Sequence, residues 1–109
     1  MSLTSTARVV TDRPGRYGKQ LASHLGRRVS SEWNDDAGRG VVRFDSGTGS
    51  LAAVDGALLL EVTCPSAEVD RLEDVLGRHL VRFGTRDELV VAWERSDGTP
   101  GTRQENTGD

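Results

Sequence analysis

The chain reads as an α+β domain: a mostly antiparallel sheet of about six strands with two helices packed on one face, in the order β-α-β-β-β-β-α-β. Three observations predict it. Two stretches carry apolar residues at helical spacing, several others alternate with the two-residue period of strands, and the central strands follow one another through short turns. Helices near both ends and consecutive strands between them suit a two-layer domain.

Residues 4–11 form the first strand, centred on Val9 and Val10. Pro14 suits the first turn of a helix, where a missing N–H does no harm. Tyr17, Leu21, His24 and Leu25 then recur at i, i+4, i+7 and i+8, and Gly26 ends the helix. Over 29–34, Val29, Ser31 and Trp33 alternate with Ser30, Glu32 and Asn34, the pattern of a half-buried strand. A loop over 34–38 leads to a strand over 41–45, and Ser46-Gly47-Thr48-Gly49 turns the chain into a strand over 51–54. Asp55-Gly56 marks a two-residue hairpin, because Gly and Asp tolerate the positive φ of a type I′ turn. The strand over 57–64 sets Leu58, Leu60, Val62 and Cys64 on one side.

Pro65-Ser66 opens the second helix, with Ser66 as N-cap and Glu68 and Asp70 in the first turn, where the helix dipole favours acids. Its apolar stripe is Val69, Leu72, Val75, Leu76, His79, Leu80 and Phe83, closed by Gly84. A last strand over 88–95 points Leu89, Val91 and Trp93 one way.

Composition bounds the rest. The 109 residues make one domain over 1–95, and residues 96–109 hold no Val, Ile, Leu, Met or aromatic side chain. Such a segment buries too little apolar surface to offset its ordering entropy, so a disordered C-terminal tail is expected. A net charge of −3 excludes a general attraction to nucleic acid or membrane. The single Cys64 excludes an internal disulfide and a multi-thiolate metal site. No signal peptide or membrane span is visible, and a cytoplasmic location is expected.

Leu-x-x-His-Leu-x-Arg occurs twice, at Leu21–Arg27 and Leu76–Arg82, and supplies both histidines of the chain. At 100° per residue His79 falls inside its stripe, while His24 lies at the margin of its own, beside Gln20. Either each ring packs as a neutral side chain, or the two helices lie side by side and both rings open onto one pocket. In the first case a buried, neutral His79 would make the fold sensitive to acid. Two nitrogens fall short of the three or four ligands of a zinc site, so neither metal nor cofactor is expected.

From Arg8 to Arg28 six basic residues stand against one acid, Asp12. The candidate ligand-binding residues are therefore His24, His79, Arg16, Tyr17 and Gln20, and an anion is the ligand they suit. The plainer alternative is a solvated basic face pairing with Glu73 or Asp74. Glu73-Asp74 and Asp87-Glu88 read as solvated surface, and no catalytic residue is marked.

Other motifs fail on context. Gly47-Thr48-Gly49-Ser50-Leu51-Ala52 matches a dinucleotide fingerprint but precedes a strand, not a helix. Arg39-Gly40-Val41-Val42-Arg43-Phe44 lacks the base-stacking aromatics of an RNA-binding module. Cys64 alternates with core leucines and reads as a buried small residue.

Three segments, Arg16-Tyr17-Gly18-Lys19-Gln20-Leu21-Ala22-Ser23-His24, Asp55-Gly56-Ala57-Leu58, and Arg78-His79-Leu80-Val81-Arg82-Phe83 continuing to Trp93, carry a resemblance over about 4–95. On them the chain resembles the bacterial, actinobacterial-type domain of unknown function 2218. The resemblance implies no catalytic residues. It does imply an occasional association with siderophore-interacting flavin reductases, hence an accessory role in iron uptake. It also implies a further histidine near position 27 in many members, where this chain has Arg27. The expected function is thus a non-enzymatic module binding a partner protein or an anionic small ligand. The alternatives are an enzyme using His79 or His24 as acid or base, and a homodimer formed through a strand edge or the Trp33 face.

Overall fold

The computed structural model describes residues 2–83 and 89–105. Its elements are β1 (Ser2–Val10), α1 (Pro14–Leu25), β2 (Ser30–Asn34), β3 (Arg39–Arg43), β4 (Thr48–Val54), β5 (Ala57–Pro65), α2 (Val69–Phe83), β6 (Val90–Arg95) and β7 (Pro100–Glu105). All seven strands join one antiparallel sheet in the order β2-β3-β4-β5-β1-β6-β7. The α+β class holds, with a seventh strand added to the expected six. The expected ends at Gly84 and Glu88 lie outside the described residues.

Both helices lie on one face, α1 over β2, β3 and β4 and α2 over β5, β6 and β7. Alternation decides which side chains meet them. On β5, Leu58, Leu60, Val62 and Cys64 are buried while Leu59, Glu61 and Thr63 face outward. Leu3, Ser5, Ala7 and Val9 of β1 do the same, and with Leu21, Leu25, Leu72, Leu76 and Leu80 of the helices they form the core. Asp55-Gly56 makes the expected two-residue turn: Val54 pairs with Ala57, and Gly56 has φ +78°.

The expectation of disorder from residue 96 is corrected over 96–105. Ser96-Asp97-Gly98-Thr99 turns the chain, with the Asp97 carboxylate accepting from the Thr99 amide and Gly98 at φ +81°, and β7 then pairs with β6. The strand is polar, and polar bonds hold it. Gln104 accepts from Trp93 Nε1 at 2.7 Å and donates to Thr102 Oγ1 at 2.8 Å. Helix α2 leaves room for it because residue 77 is glycine: a Cβ there would stand 2.0 Å from Gln104 Oε1.

Thr102 leads to the centre of this network. Glu73, expected at a solvated surface, is fully buried. One carboxylate oxygen accepts from Ser5 Oγ at 2.5 Å and Arg95 Nε at 3.0 Å. The other accepts from Arg95 Nη2 and the Thr102 amide, both at 3.0 Å, and from Thr102 Oγ1 at 2.8 Å. Arg95 also contacts Asp70. Among the described residues, no buried side-chain polar atom lacks a partner.

The second helix is consequently rotated from the expected stripe. Its buried side runs through Val69, Leu72, Glu73, Leu76, Gly77, Leu80 and Val81, leaving Val75, His79 and Phe83 half-buried at the edge. A three-residue 3₁₀ turn, Ser66–Glu68, precedes α2, and Ser66 makes no capping bond. The helix already has Val69 as its first α-helical residue, so Ser66 lies too early to cap it.

Burial drives the Glu73 carboxyl toward higher pKa, but the bonds from Arg95, Ser5 and Thr102 outweigh it and hold the group below its ordinary value. A depressed carboxylate stabilises the fold above the unfolded pKa of about 4.3, and that contribution disappears as pH falls through the folded value. Glu73→Ala, which takes from Arg95 its buried partner and leaves it only the exposed Asp70, is expected to cost about 3–5 kcal/mol in urea denaturation and to flatten the acid limb of stability against pH. A loss under about 1 kcal/mol would mean the carboxylate is not structural. Ending the chain at Arg95 is expected to cost at least about 2 kcal/mol, since Trp93 and Glu73 both lose buried partners. A truncated chain as stable as the full one would contradict the assignment of β7.

Candidate functional site

Rotation of α2 brings His79 to its edge on the side of α1, where it meets His24. The ring centroids are 4.9 Å apart at 46°, and Phe83 stands edge-on to His24 at 5.4 Å. Of the two expectations for the histidines, the geometry matches the second: both rings open onto one cavity. The premise of a fully buried His79 is corrected: both rings are half-buried.

Each ring has a distinct role. His79 Nδ1 lies 2.7 Å from the Val75 carbonyl, so a neutral His79 carries its proton on Nδ1 and presents the lone pair of Nε2. His24 sits in the last turn of α1, whose terminal carbonyls are already taken. The Ala22 carbonyl accepts from the Gly26 amide and Ser31 Oγ, and the Leu25 carbonyl accepts from the Arg28 and Val29 amides. The tightly wound turn 26–29 sets Arg27 and Arg28 beside the ring. Desolvation first, then the nearby charges of His79, Arg27 and Arg28, hold the His24 pKa below its ordinary value.

Together these groups line a cavity of about 470 Å³ between the helices. Arg71, Val75 and His79 form one wall at i, i+4 and i+8 of α2, and His24, Leu25 and the 27–29 turn form the other, with Phe44 beyond β3. Arg71 is tied to Glu68 at 3.0 Å and to Ser46 Oγ at 3.0 Å, whereas Arg27 and Arg28 have no carboxylate partner among the described residues. No acidic residue lines the cavity among those described.

The other candidates are elsewhere. Arg16 and Gln20 stand on the same i, i+4 row as His24 but are exposed and outside the cavity walls. Tyr17 is buried in the core. Arg28, Arg71 and Phe44 were not picked from the sequence, and Arg27 entered only as the last residue of the repeat, because no spacing joins the 27–28 turn to Arg71 or Phe44.

Other sites fall away on geometry. Gly49-Ser50 lies within β4, with no helix N-terminus after it to receive a phosphate. Burial pushes the Cys64 thiol up, and Glu73 and Glu68 push it further, which disfavours the nucleophilic thiolate. No group of three metal-ligating side chains is found among the described residues. No described helix is long and apolar enough to cross a membrane.

Fold and site thus define a two-layer α+β domain carrying a cationic, histidine-lined cavity between its helices. The chain belongs to a family described as uncharacterized protein conserved in bacteria (domain of unknown function 2218), whose model matches residues 6–94. It is similar to the NMR structure of PA4090 from Pseudomonas aeruginosa, with a TM-score of 0.70 and 26% sequence identity over 84% of this chain and 95% of that one. No curated protein matches the sequence.

For His24 the sign is definite. A depressed histidine favours the neutral folded state, so its contribution to stability weakens as pH falls below about 6.5, the unfolded value, and through the folded one. A two-dimensional NMR titration should place the His24 midpoint below about 6.5. A midpoint at or above that value would contradict the crowding of cations around this ring.

Proposed function

We propose that this domain is a non-enzymatic binding module for a small organic anion held between α1 and α2. One observation carries the reading: a cavity of about 470 Å³ places Arg27, Arg28 and Arg71 around a pair of facing imidazoles, with no acid on its walls among the described residues. Its volume is within the range of about 300–1,000 Å³ used for small ligands. Guanidinium forks match carboxylate geometry, and Leu25, Val29, Phe44 and Val75 offer an apolar surface to the body of the molecule. A carboxylate on an apolar frame suits this lining better than a bare phosphate. The enzyme alternative, with His79 or His24 as acid or base, has less support, because no hydroxyl, thiol or carboxylate accompanies the imidazoles on those walls.

The narrower form of the proposal is an accessory role in siderophore iron handling, the ligand being a siderophore fragment or a ferric complex bearing free carboxylates. We place that role in the cytoplasm, where a free, buried Cys64 thiol is at home. Bound anion favours protonated His24, so binding takes up a proton and tightens as pH falls.

Calorimetric titration with benzoate, citrate, ferric citrate and inorganic phosphate tests both forms. At least one carboxylate is expected to bind, more tightly at pH 6 than at pH 8. Replacing both Arg27 and Arg28 with Ala removes charge-assisted bonds of about 1.5–3 kcal/mol each and should weaken it at least tenfold. No heat with any carboxylate, or equal binding by the double variant, would overturn the proposal. Binding of citrate but not ferric citrate would overturn only the form of the iron proposal that relies on a ferric complex.

A further inference from the structure

We infer that the helix-free face of the sheet is a self-association surface, onto which a second copy of this chain docks face to face. The inference is independent of the cavity between the helices. It begins with exposure. Among the described residues, the large apolar side chains more than a third exposed are Val10, Val54, Leu59 and Val90, and strand alternation puts all four on this one face. Val10 is 69% exposed. Beside Leu59, on the rows next to these valines, the sheet forms a trough of about 710 Å³ floored by small side chains, Thr6, Ser50, Ala52 and Ala92, that let another surface come close. An antiparallel sheet can be solvated on one side, where its outward side chains are ordinarily polar.

Charge says what covers it. Strand register lines up one row as Arg39, Ala52, Leu59 and Arg8. The next row is Val41, Ser50, Glu61, Thr6 and Glu94, with Glu32 at its β2 end. One row is cationic and its neighbour acidic. Arg8, Arg39, Glu61 and Glu94 make no ion pair with any described residue. A twofold axis lying in the face, between the rows and across the strands, sets the cationic row of each copy over the acidic row of the other.

Arg8 on β1 then falls between Glu61 and Glu94 of the second copy, each one strand spacing of about 4.8 Å to the side. Arg39 falls beside the Glu32 end of the opposite row. The pattern is self-complementary, as an isologous interface demands, and it closes at two copies. It also fixes register, since a slip of one row would stack like charges. The Trp33 face, the other expected interface, differs in geometry. Trp33 turns toward the helices and packs so closely on Gly18 of α1 that a Cβ there would lie 2.6 Å from its ring.

Sedimentation velocity of the full chain over micromolar to sub-millimolar concentration tests the inference. The expected species is twice 11.8 kDa, weakening as salt rises. Arg8→Glu and Glu61→Arg, both at exposed positions, should each raise the dissociation constant at least tenfold, and an equimolar mixture of the two should recover the dimer. A circular dichroism melt confirms that each variant is folded. A monomer throughout the range would overturn the inference and leave the face to some other occupant. A dimer indifferent to both charge reversals would also overturn it, by placing the interface elsewhere.

Discussion

The α2 side of this sheet is arranged around the buried carboxylate of Glu73. A buried charge is costly unless fully paired, and this one is paired by residues from three different strands: Ser5 of β1, Arg95 of β6 and Thr102 of β7. Its five hydrogen bonds therefore specify which strands lie beneath α2, something apolar contact alone would leave loose. They also turn the helix about its axis. With Glu73, Gly77 and Val81 facing the sheet, Val75 and His79 are carried to the margin, where they meet α1.

The cavity follows from that rotation and from a matching close approach on the other side. Trp33 seats on Gly18 and holds α1 against β2 and β3. The C-terminal turn of α1 then projects His24, Arg27 and Arg28 toward the Arg71–Val75–His79 row. Partial burial first, then the nearby charges of His79, Arg27 and Arg28, hold the His24 pKa below its ordinary value. The same constraint that stabilises α2 thus prepares a surface that attracts negative charge.

The α+β class, both helices and the strands from β1 to β6 were legible because their signals are local: period two, period 3.6, Pro14 near a helix start and Asp55-Gly56 at a hairpin. The rotation of α2 was not. Glu73 and Gly77 interrupt the apolar pattern on the side that is buried, and only their tertiary partners explain them. For β7 composition misled, because its ordering rests on hydrogen bonds to buried Glu73 and Trp93 rather than on apolar area. A usable signal was present: Asp97-Gly98 is the same dipeptide as Asp55-Gly56, and it follows a strand. Both histidines were found as a repeat that also holds Arg27, but Arg71 comes from the first turn of α2, and only the fold brings it to Arg27 and Arg28.

Native-state hydrogen exchange of Glu73→Gln beside the parent chain tests the central dependence most directly. Glutamine keeps the size of the side chain but not the charge that Arg95 and Thr102 converge on. If the carboxylate holds the layers in register, the amide of Thr102 and its β7 neighbours lose protection by orders of magnitude, while β4 and β5 amides change little. Protection of Thr102 equal to that of the parent chain would contradict the account.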